Sequence, residues 1–544
     1  MNKKLNYTMP LLLALVVAFG MFIGAKFQDS YKLTGNSGGG DPRAKLDEIM
    51  RMIDKEYVDE PDKEKLTDAA ITALLKELDP HSVYIPASEL SAANEELEGN
   101  FEGIGVEFNI LNDTIMIVSP LSGGPSEQLG IKAGDRIIKI DDKIVAGVKF
   151  TSEDVFKNLR GQKGTKVKVA IKRDGEPKLI DYTITRNKIP IYSVDASYMA
   201  TPETGYIKIS RFAATTIQEY TDAFGKLRRQ GLQNLILDLR GNPGGYLKSA
   251  IQLSDEFLPK GKMVVYTEGR NRDKDEYKSS GIGGFEEGKL VVLIDEGSAS
   301  ASEIVSGALQ DWDRAIIIGR RSFGKGLVQE PFQLSDGSGL RLTVARYYTP
   351  SGRSIQKSYA KGYDEYEADI LHRFEHGEQY SQDSIHFADS LKFYTANKRL
   401  VYGGGGIMPD IFVGADTLEN SDYLTKLLTK GVFTEFTTNY IDRNRKTFTN
   451  RFKDFQSFDK GFAVDNGVFE QFISFAEKKG VKRDAKGIQV SGSFMKAQIK
   501  GLIARQFFRN DGYFHVINAQ NKAFQKALQV IDDDTFDKLK VNYR

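Results

Sequence analysis

The chain has 544 residues, no cysteine, and 75 basic against 74 acidic residues, for a net charge of +1. Without thiols, a cysteine nucleophile, a disulfide framework and a thiolate metal site are excluded, and the balanced charge excludes a global field favouring nucleic acid or an acidic substrate. The length predicts three or four domains, and a hydrophobic fraction of 40% is enough to fill their cores.

At the N-terminus Lys3 and Lys4 precede an uncharged run over 9–25. A positive stretch followed by an apolar one is an export pattern. The run is short for a membrane span, and Gly24-Ala25-Lys26 is a poor cleavage site. Residues 1–28 therefore read as a signal peptide or signal anchor, with the anchor favoured, and the glycine-rich 29–40 as a linker. Residues 41–98 are predicted helical, with Leu46, Ile49, Met50 and Ile53, then Leu66, Ala70, Ile71, Leu74, Leu75 and Leu78 at helical spacing. From Gly99 the period shortens. Strands are predicted over 106–110, 115–119, 136–140, 167–172 and 182–186, with short helices over 126–129 and 152–159, which makes a compact domain over 99–187.

In 188–415, strands at 205–211, 234–239, 263–267, 289–295 and 315–319 alternate with helices at 216–230, 247–257 and 302–310. That alternation predicts an α/β layered core with a mostly parallel sheet. The polar, aromatic-rich stretch over 357–402 reads as a surface insertion, and 416–544 returns to helical periodicity.

The chemistry concentrates between Leu290 and Glu330. Ser298, Ser300 and Ser302 lie where a strand meets a helix. A serine nucleophile needs a base, and no histidine lies between His81 and His372. The candidate base is Lys325, flanked by Gly324 and Gly326. Ser300 with Glu303 also fits a capping box, and a serine at a helix N-terminus lies near free N–H groups that can hold an oxyanion. This local chemistry does not choose among the three serines.

Two rival motifs fit poorly. In a phosphate loop ending at Gly324-Lys325, Gly326 stands where Ser or Thr should be. The Ser322-Phe-Gly-Lys325 run lacks the companion motifs of penicillin-binding enzymes. Asp238-Leu-Arg-Gly-Asn-Pro-Gly-Gly245 follows a buried strand, where open α/β sheets bind ligands, though a plain turn would read the same. Phe101-Glu-Gly-Ile-Gly-Val106 could cradle a chain-terminal carboxylate or be a strand-entry turn. His372 and His376 are spaced like metal ligands on a helix, but no acidic partner motif joins them, and they read as surface residues.

Taken together, the motifs resemble the carboxyl-terminal processing peptidases, or tail-specific proteases. The resemblance is carried by Leu78-Asp-Pro-His-Ser-Val-Tyr84, Phe101–Val106, Gly130-Ile-Lys-Ala-Gly-Asp-Arg136, Leu159-Arg-Gly161 and the run from Leu237 to Gly245. It continues through Gly297-Ser-Ala-Ser-Ala-Ser-Glu303, Phe323-Gly-Lys-Gly-Leu-Val-Gln329, Tyr348-Thr-Pro-Ser-Gly-Arg-Ser-Ile-Gln356 and Gly406-Ile-Met-Pro-Asp410. It implies a PDZ domain over 99–187 inserted into an α/β serine protease core over 188–415, between an N-terminal helical segment and a mainly helical extension over 416–544.

The resemblance also implies roles. Ser300 is the nucleophile, Lys325 the general base and Gln329 the third catalytic residue. Backbone N–H groups of Ala301 and of Gly244 or Gly245 form the oxyanion hole. Gly103, Ile104, Gly105, Val106 and Arg160 serve the peptide site. The implied enzyme uses no metal or cofactor, cleaves exported proteins near free apolar C-terminal tails, and works on the periplasmic side of the cytoplasmic membrane, anchored or released. The other class of reading is a non-catalytic PDZ adaptor that gathers such tails. If Gln329 orients Lys325 directly, 324–329 should be helix-like or sharply bent, because an extended strand would set them about 13 Å apart. The insertion and the extension depart from the family pattern.

Overall fold

The computed structural model describes residues 14, 16–21, 42–111, 113–121, 123–415 and 421–544. The expectation of a signal segment over 9–25 falls largely outside them. Among the described residues no helix is long and apolar enough to cross a membrane. The chain divides into two compact units, Met1–Ile71 and Thr72–Arg544. In the first, α1 (Pro42–Glu56) leaves Leu46, Ile49 and Met52 exposed.

In the second unit, α2 (Ala87–Glu98) precedes a small antiparallel β domain. Its strands β1 (Val106–Ile110), β2 (Ile115–Pro120), β3 (Arg136–Ile140), β4 (Lys166–Lys172) and β5 (Ile180–Thr185) lie in that order, leaving β1 at an edge. The helix α3 (Ser152–Leu159) opens with a capping box between Thr151 and Asp154. Ile115, Ile117, Ile137, Val155, Val167 and Ile184 fill the core between sheet and helices.

The central sheet runs β6 (Val194–Met199), β7 (Thr204–Ile209), β8 (Asn234–Asp238), β11 (Leu290–Ile294), β12 (Ile316–Gly319) and β15 (Ile411–Phe412). All its pairs are parallel except β6 with β7. Every residue of β11 is buried, as a parallel strand covered on both faces requires. The side-chain period of two divides it. Leu290, Val292 and Ile294 face α4 (Thr216–Arg228), α5 (Leu247–Asp255) and α6 (Ala301–Asp311). Val291 and Leu293 face the other way, onto Phe524, Ala527, Val530 and Ile531 of α10 (Lys522–Asp532).

A second, antiparallel sheet contains Val83–Ile85, β14 (Gly339–Tyr348), β9 (Met263–Gly269) and β10 (Arg272–Lys278), with β13 (Leu327–Gln333) paired on β14. The insertion holds α7 (Tyr363–Glu375) and a small hairpin, Lys392–Tyr394 with Leu400–Tyr402. The extension has its own phenylalanine-rich core, in which Phe433, Phe436 and Phe448 of α8 (Val432–Arg451) meet Phe472 and the long α9 (Ala485–Asn518).

Candidate active site

Two loops at the carboxyl ends of the adjacent parallel strands β8 and β11 are zipped together, where open α/β sheets usually bind ligands. Ser298 Oγ donates to Leu239 O (2.8 Å), Ser302 Oγ to Asn242 O (2.9 Å) and Ala299 N–H to Asn242 O (2.9 Å). Ser298 and Ser302 are fully buried. Ser300 alone of the three serines lines a groove of about 940 Å³, which Gly244, Gly245, Ala301, Lys325 and Gln329 also line.

Ser300 has φ 52° and ψ −111°, a conformation that costs a non-glycine residue roughly 1–3 kcal/mol and recurs where a nucleophile is thrust out of a strand-to-helix turn. The glycine turn packs directly on it. A Cβ on Gly244 (φ 103°) would lie 2.8 Å from Ser300 Cβ, and one on Gly245 (φ 142°) 2.0 Å from Phe212 O. The Gly244 N–H is taken by Asn242 Oδ1 (2.9 Å). Among the described residues the N–H groups of Gly245 and Ala301 have no acceptor. Of the two glycines, Gly245 is the one left to hold an oxyanion.

Lys325 sits in the loop between β12 and β13. Glu303, fully buried in α6, binds that loop and the turn at Ser300 together. Its Oε2 accepts from the N–H of Ser300 (2.8 Å) and of Lys325 (2.9 Å), and its Oε1 from Gly324 N–H (2.7 Å) and Ser322 Oγ (2.5 Å). Burial pushes Glu303 up to about 7, against these four donors. Tyr347 Oη lies 3.0 Å from Ser300 O and also bonds Lys325 O, so one phenolic proton serves both carbonyls.

Lys325 is half-buried, and desolvation lowers its ammonium from the usual lysine range; Glu303 and Asp79 oppose that, and Arg341 assists it. The sequence reading gave Asp79 and His81 no role, yet both lie in this neighbourhood. Asp79 accepts from His81 N–H, Ser82 Oγ and Thr343 Oγ1 (2.8, 2.6 and 2.9 Å). His81, bonded to Tyr366 Oη (2.8 Å), falls to about 3, first through burial and then through Lys325. It stays neutral at physiological pH and is a poor base.

Gln329 is not where a direct orienting contact requires. Residues 327–333 pair with β14 as a strand, with a bulge between Val328 and Gln329, and the Gln329 amide donates to Thr343 Oγ1 (3.1 Å). Among the described residues no hydrogen bond joins it to Lys325. Strand pairing, rather than the helix-like or sharply bent segment that a direct contact would require, places Gln329. It leaves Gln329 linked through Thr343 to Asp79.

In the small β domain the carbonyls of Ile104 and Gly105 are fixed by Ser126 and Leu121, and Gly105 has φ 72°. Gly103 closes a short strand paired with Asn187–Pro190, and Val106 opens the edge strand β1. Phe108 on β1 and Phe156 on α3 are in edge-to-face contact, 5.4 Å apart. Arg160 lies over Phe156 and Phe101 and pairs with Glu95 of α2 (2.6 Å). Neighbours of Glu95 on α2, Asn94 and Glu96, line the main groove. His372 is half-buried and 3.9 Å from Glu365, and His376 is exposed.

The pattern of Peptidase family S41 matches residues 203–364, that of the PDZ domain matches 103–184, and a family of unknown function (DUF8443) matches 423–510. The carboxy-terminal processing protease CtpA of Bacillus subtilis (strain 168) is 36% identical over 367 residues, 66% of this chain and 77% of that protein. The chain belongs to the carboxy-terminal processing proteases of peptidase family S41. A probable CtpA-like serine protease of Staphylococcus aureus (strain N315) is 37% identical over 313 residues, 57% of this chain, and the chain covers 62% of its length. A solved photosystem II D1 C-terminal processing protease is 28% identical, covering 68% of this chain and 92% of its own, with a TM-score of 0.35. In this family member the PDZ domain, the α/β core and the helical C-terminal region lie on one chain.

Proposed function

We propose that the chain is an exported serine endopeptidase that cleaves proteins near their C-termini, with Ser300 as nucleophile and Lys325 as general base. The observation that carries this reading is the junction at Glu303. It ties the one groove-lining serine to a lysine whose charge is disfavoured, and no competent histidine stands by.

Neutral Lys325 takes the Ser300 Oγ proton as Oγ bonds the scissile carbonyl carbon. The carbonyl oxygen, now negative, is held by the N–H groups of Ala301 and Gly245. Collapse expels the amine, which leaves with the proton from Lys325. Water then attacks the acyl-enzyme by the same route, releasing the new carboxyl end and restoring Ser300. Gln329 acts at one remove, through Thr343 and Asp79.

The PDZ domain captures the substrate's free carboxylate at Gly103–Val106 and lays the tail along the β1 edge. Tethering raises the local concentration of the tail at the groove. Arg160, held by Glu95, stands between that site and α2. Lys3, Lys4 and the apolar run over 9–25 support export to the periplasmic side of the membrane, anchored or released.

The test is casein digestion by the full chain and by Ser300→Ala, with and without a chelator. The reading predicts cleavage only by the unmodified protein, indifferent to chelation. Peptide capture with no Ser300-dependent cleavage would replace the protease with an adaptor.

A further inference from the structure

The loop 322–326 has no regular secondary structure, yet its backbone groups are all held. Ser322 N–H donates to Ile407 O (3.1 Å) and Phe323 N–H to Ser298 O (3.0 Å). Glu303 takes the N–H groups of Gly324 and Lys325, and Gln356 Oε1 that of Gly326 (2.7 Å). Gly324 O accepts from Lys357 N–H (2.9 Å), Lys325 O from Tyr347 Oη and Gly326 O from Tyr347 N–H (3.0 Å). The remaining carbonyls, Ser322 O and Phe323 O, accept from one guanidinium, Arg373 Nη1 at 2.8 Å and Nη2 at 3.1 Å.

Arg373 belongs to α7 in the insertion. Its side chain is 5% exposed and stands 2.9 Å from Asp369. Lys357 supports the same corner, with Nζ 3.1 Å from Asp369 and over the Phe323 and Tyr366 rings at 4.1 and 4.0 Å. A buried guanidinium is a costly way to pack a helix. What it offers over an apolar side chain is a rigid fork able to grip two successive carbonyls.

We propose that Arg373 is a positioning residue for the Ser300–Lys325 chemistry, through which the insertion helix sets the placement and enclosure of Lys325. The role of that pair rests on the reading above. Arg373 is not among the residues lining the groove, so its loss should leave substrate binding intact. Freeing Ser322 O and Phe323 O loosens the turn at Gly324–Gly326, admits water around Lys325 and restores its charge.

The experiment uses full-length protein, unmodified and as Arg373→Ala and Arg373→Lys, checked for folding by thermal melting. Rates against pH give kcat and KM. Competitive acetylation of Lys325 with acetic anhydride against pH, read by mass spectrometry, reports the loop without needing turnover. The expected result for Arg373→Ala is a kcat at neutral pH lower by about 30-fold, with KM within about twofold. Its acid limb and the Lys325 labelling midpoint should both move up by about one pH unit. Arg373→Lys, able to reach one carbonyl, should fall between, and millimolar guanidinium should restore part of the alanine variant's rate.

Unchanged labelling and an unchanged pH limb in folded Arg373→Ala would overturn the inference. So would the same result in Arg373→Lys should the alanine variant not fold. A shifted labelling midpoint in a chain with no Ser300-dependent cleavage would instead keep the hold and remove the protease reading.

Discussion

Ser300 and Lys325 are tied to a single oxygen atom: their backbone N–H groups converge on Oε2 of Glu303, at 2.8 and 2.9 Å. The 24 residues between them in sequence are closed by one buried carboxyl group. That arrangement makes the register of Ser300 and Lys325 a property of α6, which carries Glu303 two residues after its first.

Glu303→Gln should therefore be far from conservative. Each carboxylate oxygen takes two donors, so either orientation of an amide would turn its NH2 toward two of them. An unsatisfied buried donor costs about 1–3 kcal/mol. The expected outcome is a lower melting temperature together with a fall in kcat of about 100-fold or more, measured on the same preparation.

Activity should rise with pH. In the proposed role Lys325 takes a proton only when neutral, and burial has lowered it from its ordinary value of 10.5, so the limb should lie below that value. Glu303 adds to the loss on the acid side. Its folded value, about 7, is raised above the ordinary 4.5, and as it gains a proton one acceptor becomes a donor facing donors. Lys325→Arg should be inactive at every pH tested, since arginine stays protonated. A rate profile of Lys325→Arg that parallels the unmodified enzyme would rule out lysine as the base.

Gly245→Ala and Gly244→Ala should each cut cleavage severely for steric reasons. The new Cβ would sit 2.0 Å from Phe212 O or 2.8 Å from Ser300 Cβ. Losing one oxyanion donor typically costs about 10²–10³ in kcat, and Gly245→Ala should reach that range. Substrate-peptide affinity of the PDZ domain, measured separately by calorimetry, should not change.

The helix α10 belongs to the protease core in energetic terms. Phe524 is 5% exposed against Tyr206, at an edge-to-face ring distance of 5.5 Å. Arg240, two residues after buried Asp238, donates to Asn521 Oδ1 at 2.6 Å. Phe524→Ala should destabilise the fold by about 3–5 kcal/mol, read by denaturant unfolding. A loss under about 1 kcal/mol would make α10 an ornament on the sheet rather than its second layer.

Much of this was legible because the central strands are short apolar runs punctuated by glycine turns. The expected strand over 234–239 and helix over 247–257 differ from β8 and α5 by one or two residues at the C-terminal end. What covers the second face of that sheet was not legible. Phe524 and Val530 announce an amphipathic helix, but local periodicity says nothing about which surface more than 200 residues earlier it meets. The placement of Gln329 was not legible for a related reason. Its neighbours Leu327 and Val328 suit a helix or a strand, and the deciding partner, β14, arrives only afterwards in the chain. Glu303 was read as a cap. That half holds, but its four-donor role depends on a loop 20 residues on, which no capping pattern encodes.

The most direct test of the account is where a fluorophosphonate attaches. The full chain and its Lys325→Ala variant would be labelled at neutral pH, digested and mapped by mass spectrometry. The account predicts one adduct, on Ser300, in the unmodified protein, and labelling slowed by about 10²-fold or more in Lys325→Ala. An adduct on Ser298 or Ser302, or equal labelling rates in the two proteins, would contradict it.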